Sequence, residues 1–318
     1  MRIAILTSGG DAPGMNAAIR AITRTAIFDG NEVIGIKRGF LGLMKGEFIS
    51  LDSRDVGGIL SRGGTLLFTS RAPEFKLETG INDAIKNIKG LGIDYIIIIG
   101  GNGSQTGAFE LHKRGINTIG IASTIDNDIW GTDQTIGFDT ALNNAIQAID
   151  KIRDTATSHE RVFVIEVMGR DVGILALHCG ISAGADEIIV PEIQYDLEKI
   201  TENIKMSFER GKKHFIIVLA EGAGRASDFG KKLFDTAKID AKISVLGYIQ
   251  RGGDPTFIDR FLATQFGAFA VKCAEDGVKG KIVGIKNNNL TLINMEEAAG
   301  KVKKIDPMLY NLSQKLSI

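Results

Sequence analysis

The chain has 318 residues, and its 38 basic and 38 acidic side chains cancel to a formal net charge of zero. That balance argues against a nucleic-acid or membrane-surface protein, and the length suits two domains around a large buried core. Two cysteines without metal-ligand spacing, no apolar run near the ~18 residues of a membrane span, and a first segment (Met1 to Thr7) that reads as a strand together predict a soluble cytoplasmic protein.

In chain order, short apolar strands alternate with helical patterns. Residues 3–7 read as a strand, 15–28 as a helix, 32–36 as a strand and 81–88 as a helix. Residues 95–99 follow as a strand. Their run Ile96-Ile97-Ile98-Ile99 has no alternation, as expected for a central strand buried on both faces. Residues 117–122 are strand-like, 140–153 helical and 162–167 again a strand. The segment 197–209 is a well-punctuated helix: Asp196 caps it, Leu197, Ile200 and Ile204 share one face, and Gly211 stops it. A strand at 215–220, a helix at 261–275 and a strand at 281–285 complete the reading. This alternation predicts parallel sheets covered on both faces.

The chemistry gathers where strands end. Thr124-Ile125-Asp126-Asn127-Asp128 sets two carboxylates one residue apart after the strand at 117–122. Alternate side chains at a strand's C-terminal end face the same crevice, where open α/β sheets bind ligands. One carboxylate there suits a base, and the other a magnesium ion, for phosphoryl transfer to a hydroxyl. The plain alternative is an Asx-rich turn. Two glycine-rich stretches, Ser8 to Asn16 and Gly100 to Ser104, each follow a strand and open a helix, which makes a phosphate cradle. Neither is a Walker A loop, and neither matches the dinucleotide fingerprint. Arg62, Arg71, Arg170 and Arg251 stand near further glycines and suit phosphate recognition.

Taken together, Leu6 to Asn16, Thr124 to Asp128, Glu166-Val167-Met168-Gly169-Arg170 and Ile249-Gln250-Arg251-Gly252-Gly253 resemble the bacterial ATP-dependent 6-phosphofructokinases over essentially the whole chain. The resemblance implies two Rossmann-like three-layer α/β domains with largely parallel sheets, assembled as a homotetramer. An ATP-binding domain is expected over residues 1–138 and 251–303, and a sugar-phosphate domain over 139–250 and 304–318. The implied reaction moves the γ-phosphoryl group of ATP to the 1-hydroxyl of fructose 6-phosphate, with Mg2+ as cofactor.

Residue by residue, the resemblance makes Asp126 the general base, places Asp128 near magnesium and sets Thr124 against the sugar phosphate. Gly10, Arg71, Lys76, Asn102, Gly103, Ser104 and Gly107 would line the nucleotide. Arg71 would bridge to the transferring phosphate, which Arg170 would also stabilise. Arg161, Met168, Gly169, Glu221, Lys242, Tyr248 and Arg251 would hold fructose 6-phosphate, with Arg161 and Lys242 reaching in from a neighbouring subunit. The small neutral Gly103 and Ser123 imply ATP and not pyrophosphate as donor. Arg20, Arg24, Arg153, Asp186, Arg210, Lys212 and His214 match an effector site for ADP or phosphoenolpyruvate, where Asp186 could hold a second magnesium.

The chain departs from the family's pattern at five positions, one of them in the effector site, where Asp186 stands for a glutamate. Asn102 replaces a magnesium-binding aspartate, Lys242 an arginine, Tyr248 a histidine and, more mildly, Phe40 a tyrosine. The alternative these changes raise is a catalytically weakened paralogue that binds nucleotide and sugar phosphate and regulates.

Overall fold

The computed structural model describes residues 1–317. In chain order the elements begin with β1 (Arg2–Ser8), α1 (Met15–Phe28), β2 (Glu32–Ile36), α2 (Gly39–Lys45) and β3 (Phe48–Leu51). They continue with α3 (Glu78–Gly90), β4 (Tyr95–Gly100), α4 (Asn102–Lys113) and β5 (Thr118–Ala122). Next come α5 (Phe138–His159), β6 (Val162–Val167), α6 (Ile174–Ser182), β7 (Glu187–Ile189), α7 (Leu197–Glu209), β8 (Phe215–Ala220), α8 (Ala226–Ala237) and β9 (Lys242–Val245). The last are α9 (Phe257–Glu275), β10 (Lys281–Lys286), β11 (Asn289–Asn294), α10 (Met295–Ala298) and α11 (Pro307–Leu316).

The chain divides into two compact units, Met1–Thr140 with Arg251–Lys303, and Ala141–Gln250 with Lys304–Ile318. Ile318, the end of the expected second domain, lies outside the described residues. The first division falls two residues beyond the expected 138/139, inside the first turn of α5. The reason is local: the N–H of Thr140 donates to Asp259 Oδ2 at 2.8 Å, which ties that turn to the first unit.

The first unit is built on a seven-stranded sheet in the order β11-β10-β5-β4-β1-β2-β3. The inner five strands run parallel, and β3 and β11 join the edges antiparallel. Every residue of β4 is buried, four isoleucines among them, so its unalternating sequence is what a strand covered on both faces requires. Helix α1 packs against α9. A Cβ on Gly267 would stand 2.8 Å from the Ala18 carbonyl oxygen, so glycine is what lets the two backbones approach. Helix α9 begins one turn before the expected residue 261, because the Thr256 hydroxyl caps it by accepting from the Asp259 N–H at 3.3 Å.

The second unit carries a four-stranded, all-parallel sheet in the order β7-β8-β6-β9. Val162, Val164, Phe215, Ile217 and Leu219 from the strands pack with Ile200 and Ile204 of α7 and Phe229 and Leu233 of α8. Helix α7 is punctuated as its sequence implies. Asp196 accepts from the Lys199 N–H at 3.2 Å, and Gly211, at φ 90°, returns its N–H to Phe208 O at 2.9 Å. Both cysteines are buried thiols, and burial pushes Cys179 up to about 12. Among the described residues no helix is long and apolar enough to cross a membrane.

Candidate active site

Three loops leave the first unit's sheet at one level. Ser8 at the end of β1 is registered with Gly100 at the end of β4, and Gly100 with Ala122 at the end of β5. The two glycine-rich loops and the Asp126–Asp128 segment therefore open side by side at the strands' C-terminal ends. The close approach is built into Gly100, where a Cβ would lie 2.5 Å from both Ser104 Oγ and the Ser8 carbonyl oxygen. Gly10 leaves room for the Arg251 guanidinium, whose Nη1 a Cβ there would meet at 2.2 Å and displace.

The two carboxylates do not continue the strand, as alternation had implied. β5 ends at Ala122, Ile125 and Asp126 form a turn, and Asn127 takes the left-handed region at φ 51°. Asparagine tolerates that conformation better than most residues. Thr124 and Asp126 interlock: the Thr124 hydroxyl donates to Asp126 Oδ2 at 3.2 Å and accepts from the Asp126 N–H at 3.2 Å. The Thr135 hydroxyl holds the loop from below, donating to the Thr124 carbonyl at 2.6 Å. Thr124, Asp126 and Asp128 are all buried.

The structure brings the two expected metal residues together. Asn102 Nδ2 donates to Asp128 Oδ2 at 2.8 Å, with its own backbone at the first residue of α4. A Cβ on Gly103 would meet nothing within 4 Å, so that position faces open space. Ser104 is buried against the first glycine loop. Gly107 lies beneath the Phe40 ring, which stacks on Phe75 with centroids 4.2 Å apart, and Lys76 follows Phe75 directly. Arg71 is exposed, two residues after Thr69, whose hydroxyl donates to Gly9 O at 2.7 Å. Arg251 docks on this same loop, donating to the Asp11 carbonyl at 3.0 Å. Behind the carboxylates sits Lys303, which the sequence reading missed. Burial pulls its pKa down, while Asp133 and Asp128 pull it up.

In the second unit the C-terminal ends of β6 and β8 are registered at Val167 and Ala220. The turn that follows is held by Glu221, whose Oε1 accepts from the Gly169 N–H at 3.2 Å and the Arg170 N–H at 2.8 Å. Met168 donates its N–H to Gln250 Oε1 at 3.3 Å, and Tyr248 is exposed in a short 3-10 turn. Arg161 and Lys242 are elsewhere. They precede or open β6 and β9 at the sheet's N-terminal edge, where Lys242 pairs with Asp240 at 2.7 Å.

The residues expected at an effector site form two groups. In the second unit, Arg153 Nη1 lies 3.0 Å from His214 Nε2 and Arg153 Nη2 donates to the Gly184 carbonyl at 3.0 Å. Lys212 pairs with Asp186, whose Oδ2 accepts from the Ile216 N–H at 2.7 Å. Burial, and then the Arg153 charge, push the His214 pKa down. Arg210 is exposed at the end of α7. In the first unit Arg20 and Arg24 lie on one face of α1, and Arg24 Nη2 donates to Ser53 O at 3.3 Å.

A family model described as Phosphofructokinase matches residues 2–274. The ATP-dependent 6-phosphofructokinases of Bacillus licheniformis and Shouchella clausii are each 52% identical over 317 residues, covering 100% of this chain and 99% of theirs. The solved phosphofructokinase of Saccharomyces cerevisiae superimposes with a TM-score of 0.86 at 35% identity over 99% of this chain. This chain spans about half of the yeast chain, 46%. The chain therefore belongs to the phosphofructokinase family.

Proposed function

We propose that this chain is an ATP-dependent 6-phosphofructokinase, converting ATP and fructose 6-phosphate to ADP and fructose 1,6-bisphosphate. The observation that carries the reading is the interlocked Thr124–Asp126–Asp128 turn beside two glycine-rich loops at one sheet edge. The full-length identity to ATP-dependent relatives agrees with it. The nucleotide belongs to the first unit, at Gly10, Arg71, Lys76, Asn102, Gly103, Ser104 and Gly107. For the sugar phosphate the first unit offers Thr124 and Arg251, and the second unit separately offers the Met168-Gly169-Arg170 turn with Glu221 and Tyr248.

Asp126 takes the proton of the 1-hydroxyl as that oxygen bonds to the γ-phosphorus, and the bond to the β-phosphate oxygen breaks to release ADP. The Thr124 hydroxyl orients the carboxylate through Oδ2. Arg71 and Arg170 offset the charge on the transferring group. Asp128 would hold a magnesium ion through its carboxylate, and Asn102, whose Nδ2 donates to Asp128 Oδ2 at 2.8 Å, would join it through Oδ1 once its amide turned over. Magnesium held there would supply positive charge against that building up on the phosphates.

Arg161 and Lys242 serve a second copy of the chain. They stand at the opposite end of β6 and β9 from the Met168–Arg170 turn, and the six residues of β6 span roughly 20 Å. One unit cannot aim both ends at one sugar phosphate, which supports a site shared between two copies; the homotetramer follows from the resemblance alone. ADP or phosphoenolpyruvate is the proposed ligand of Arg153, Arg210 and Lys212, which stand with His214 in the second unit, while Arg20 and Arg24 of the first unit belong to the site by resemblance. The cytoplasm is the compartment of this reaction.

The test is a coupled assay of the purified chain with magnesium, fructose 6-phosphate and either ATP or pyrophosphate. Turnover with ATP alone supports the reading. Binding of both substrates without turnover would make the chain the weakened paralogue that Asn102 and Tyr248 favour. Equal turnover with pyrophosphate would overturn the choice of donor.

A further inference from the structure

The loop that carries Asp128 is closed from behind by Lys303, 170 positions along the chain from Asp133. The Lys303 main-chain N–H donates to the Asp128 carbonyl at 2.9 Å, and Val302 beside it makes an antiparallel bridge to Ile129. The side chain turns to the other end of the same loop, where Nζ donates to the Asp133 carbonyl at 2.6 Å. Asn127 Nδ2 donates to that same carbonyl at 3.2 Å. Asp133 is itself fixed to the sheet edge, through its N–H to Ile285 O at 2.8 Å and through Oδ2, which accepts from the Asn287 N–H at 2.7 Å.

One residue thus holds the loop at both ends, and one hold is shared with Asn127, the left-handed residue between the two carboxylates. A surface lysine lays its stem along apolar surface and keeps its ammonium in water. Lys303 instead spends its ammonium on a carbonyl, at the cost of immobilising a long side chain. Such an arrangement is justified where loop geometry matters, because a small misplacement of reacting groups costs rate steeply.

We propose that Lys303 is a positioning residue of this phosphoryl transfer, fixing the turn that aims Asp126 and Asp128. Its kinetic consequence rests on the kinase reading given above, whereas its structural consequence does not. Two variants test it. Lys303→Met keeps the length and removes the donor; Lys303→Arg keeps a cation that reaches the carbonyl. Lys303→Met is expected to lower kcat about tenfold or more, since ~1 Å misplacement can cost about a hundredfold. The half-saturation points for ATP and fructose 6-phosphate should stay within about twofold, and Lys303→Arg should recover most of kcat.

Hydrogen–deuterium exchange reads the same clamp without turnover. In Lys303→Met the segment 126–133 should exchange faster while β1 and β4 stay as in wild type, and Lys303→Arg should restore slow exchange. Unchanged loop exchange, or unchanged kcat in Lys303→Met, would overturn the proposal. So would exchange that rises alike across the whole first unit, which marks a stability role only. Wild type lacking turnover would count against the kinase reading and leave the exchange measurement to decide the clamp.

Discussion

At the scale of single residues, the site is a set of short-range commitments around one turn. Asp126 is positioned by Thr124 and by its own loop, so its loss should strike proton transfer more than binding. Asp126→Asn keeps the shape and removes the base, and kcat should fall at least about a hundredfold with little change in sugar-phosphate binding. A steady-state assay paired with direct binding measurements checks this; near-normal kcat would place the base elsewhere. Asn102→Asp tests the neighbouring position. It sets a second carboxylate beside Asp128, and the pair should tighten binding of a hard divalent cation. Titrating magnesium against both forms decides it, and an unchanged dependence would remove residue 102 from the metal site. These residues were legible because each lies in a contiguous motif. Lys303 was not, because nothing in Lys301-Val302-Lys303-Lys304 marks which lysine meets a loop so far back in the chain.

At the scale of elements, the legible strands were those with continuous apolar runs, β4 and β8 above all. β7 has three residues, β9 alternates lysine and serine with half-exposed apolar residues, and β11 is bounded by asparagines, so none carried a readable pattern. Helix α4 stayed unbounded because Asn102-Gly103-Ser104-Gln105-Thr106-Gly107 reads as loop composition until tertiary packing overrides it. The buried Asp259 shows how elements are joined below the site. It sits on α9 and accepts from the Gly137 N–H at 2.7 Å, the Thr140 N–H at 2.8 Å and the Thr140 hydroxyl at 2.5 Å, so it anchors the start of α5. Burial raises its pKa to about 6 despite those donors. A carboxyl whose folded value exceeds its unfolded value near 3.9 binds more protons when folded, so stability falls as pH rises from about 4 to about 6 and stays reduced above. A rise of that size is worth about 3 kcal/mol. The stability difference between wild type and Asp259→Asn, from urea unfolding at pH 4 and pH 7, should therefore favour wild type more at pH 4. An equal difference at both values would mean Asp259 titrates as an ordinary carboxylate.

At the scale of the whole molecule, the proposed effector cluster would be a second anion site able to act on the first. The Arg153, Lys212, His214 and Asp186 group is assembled within one unit by contacts among its own members, which makes it a prepared cationic surface and not a scatter of exposed charge. Asp186 is buried with both oxygens engaged, by Lys212 and by the Ile216 N–H, so any ligand there meets one carboxylate set among several cations. A nucleoside diphosphate carrying a metal and a small phosphorylated acid would use that carboxylate differently, the first through its cation and the second only by repulsion. ADP and phosphoenolpyruvate are therefore expected to compete for one site and to shift the half-saturation point for fructose 6-phosphate in opposite directions. Coupling of this kind is typically ~1–3 kcal/mol, about 5- to 150-fold in affinity. Arg24, exposed on α1 one turn beyond Arg20, holds a long hydrogen bond to Ser53 O at 3.3 Å, so its removal should disturb the fold little. Titrating both effectors against wild type and Arg24→Ala is the test, with ATP turnover at saturating sugar phosphate as the control for an intact catalytic site. Opposite shifts in wild type that shrink together in the variant would establish the site. A wild type that ignores both effectors, or a variant that responds as fully as wild type, would leave the cluster a structural one that merely satisfies Asp186.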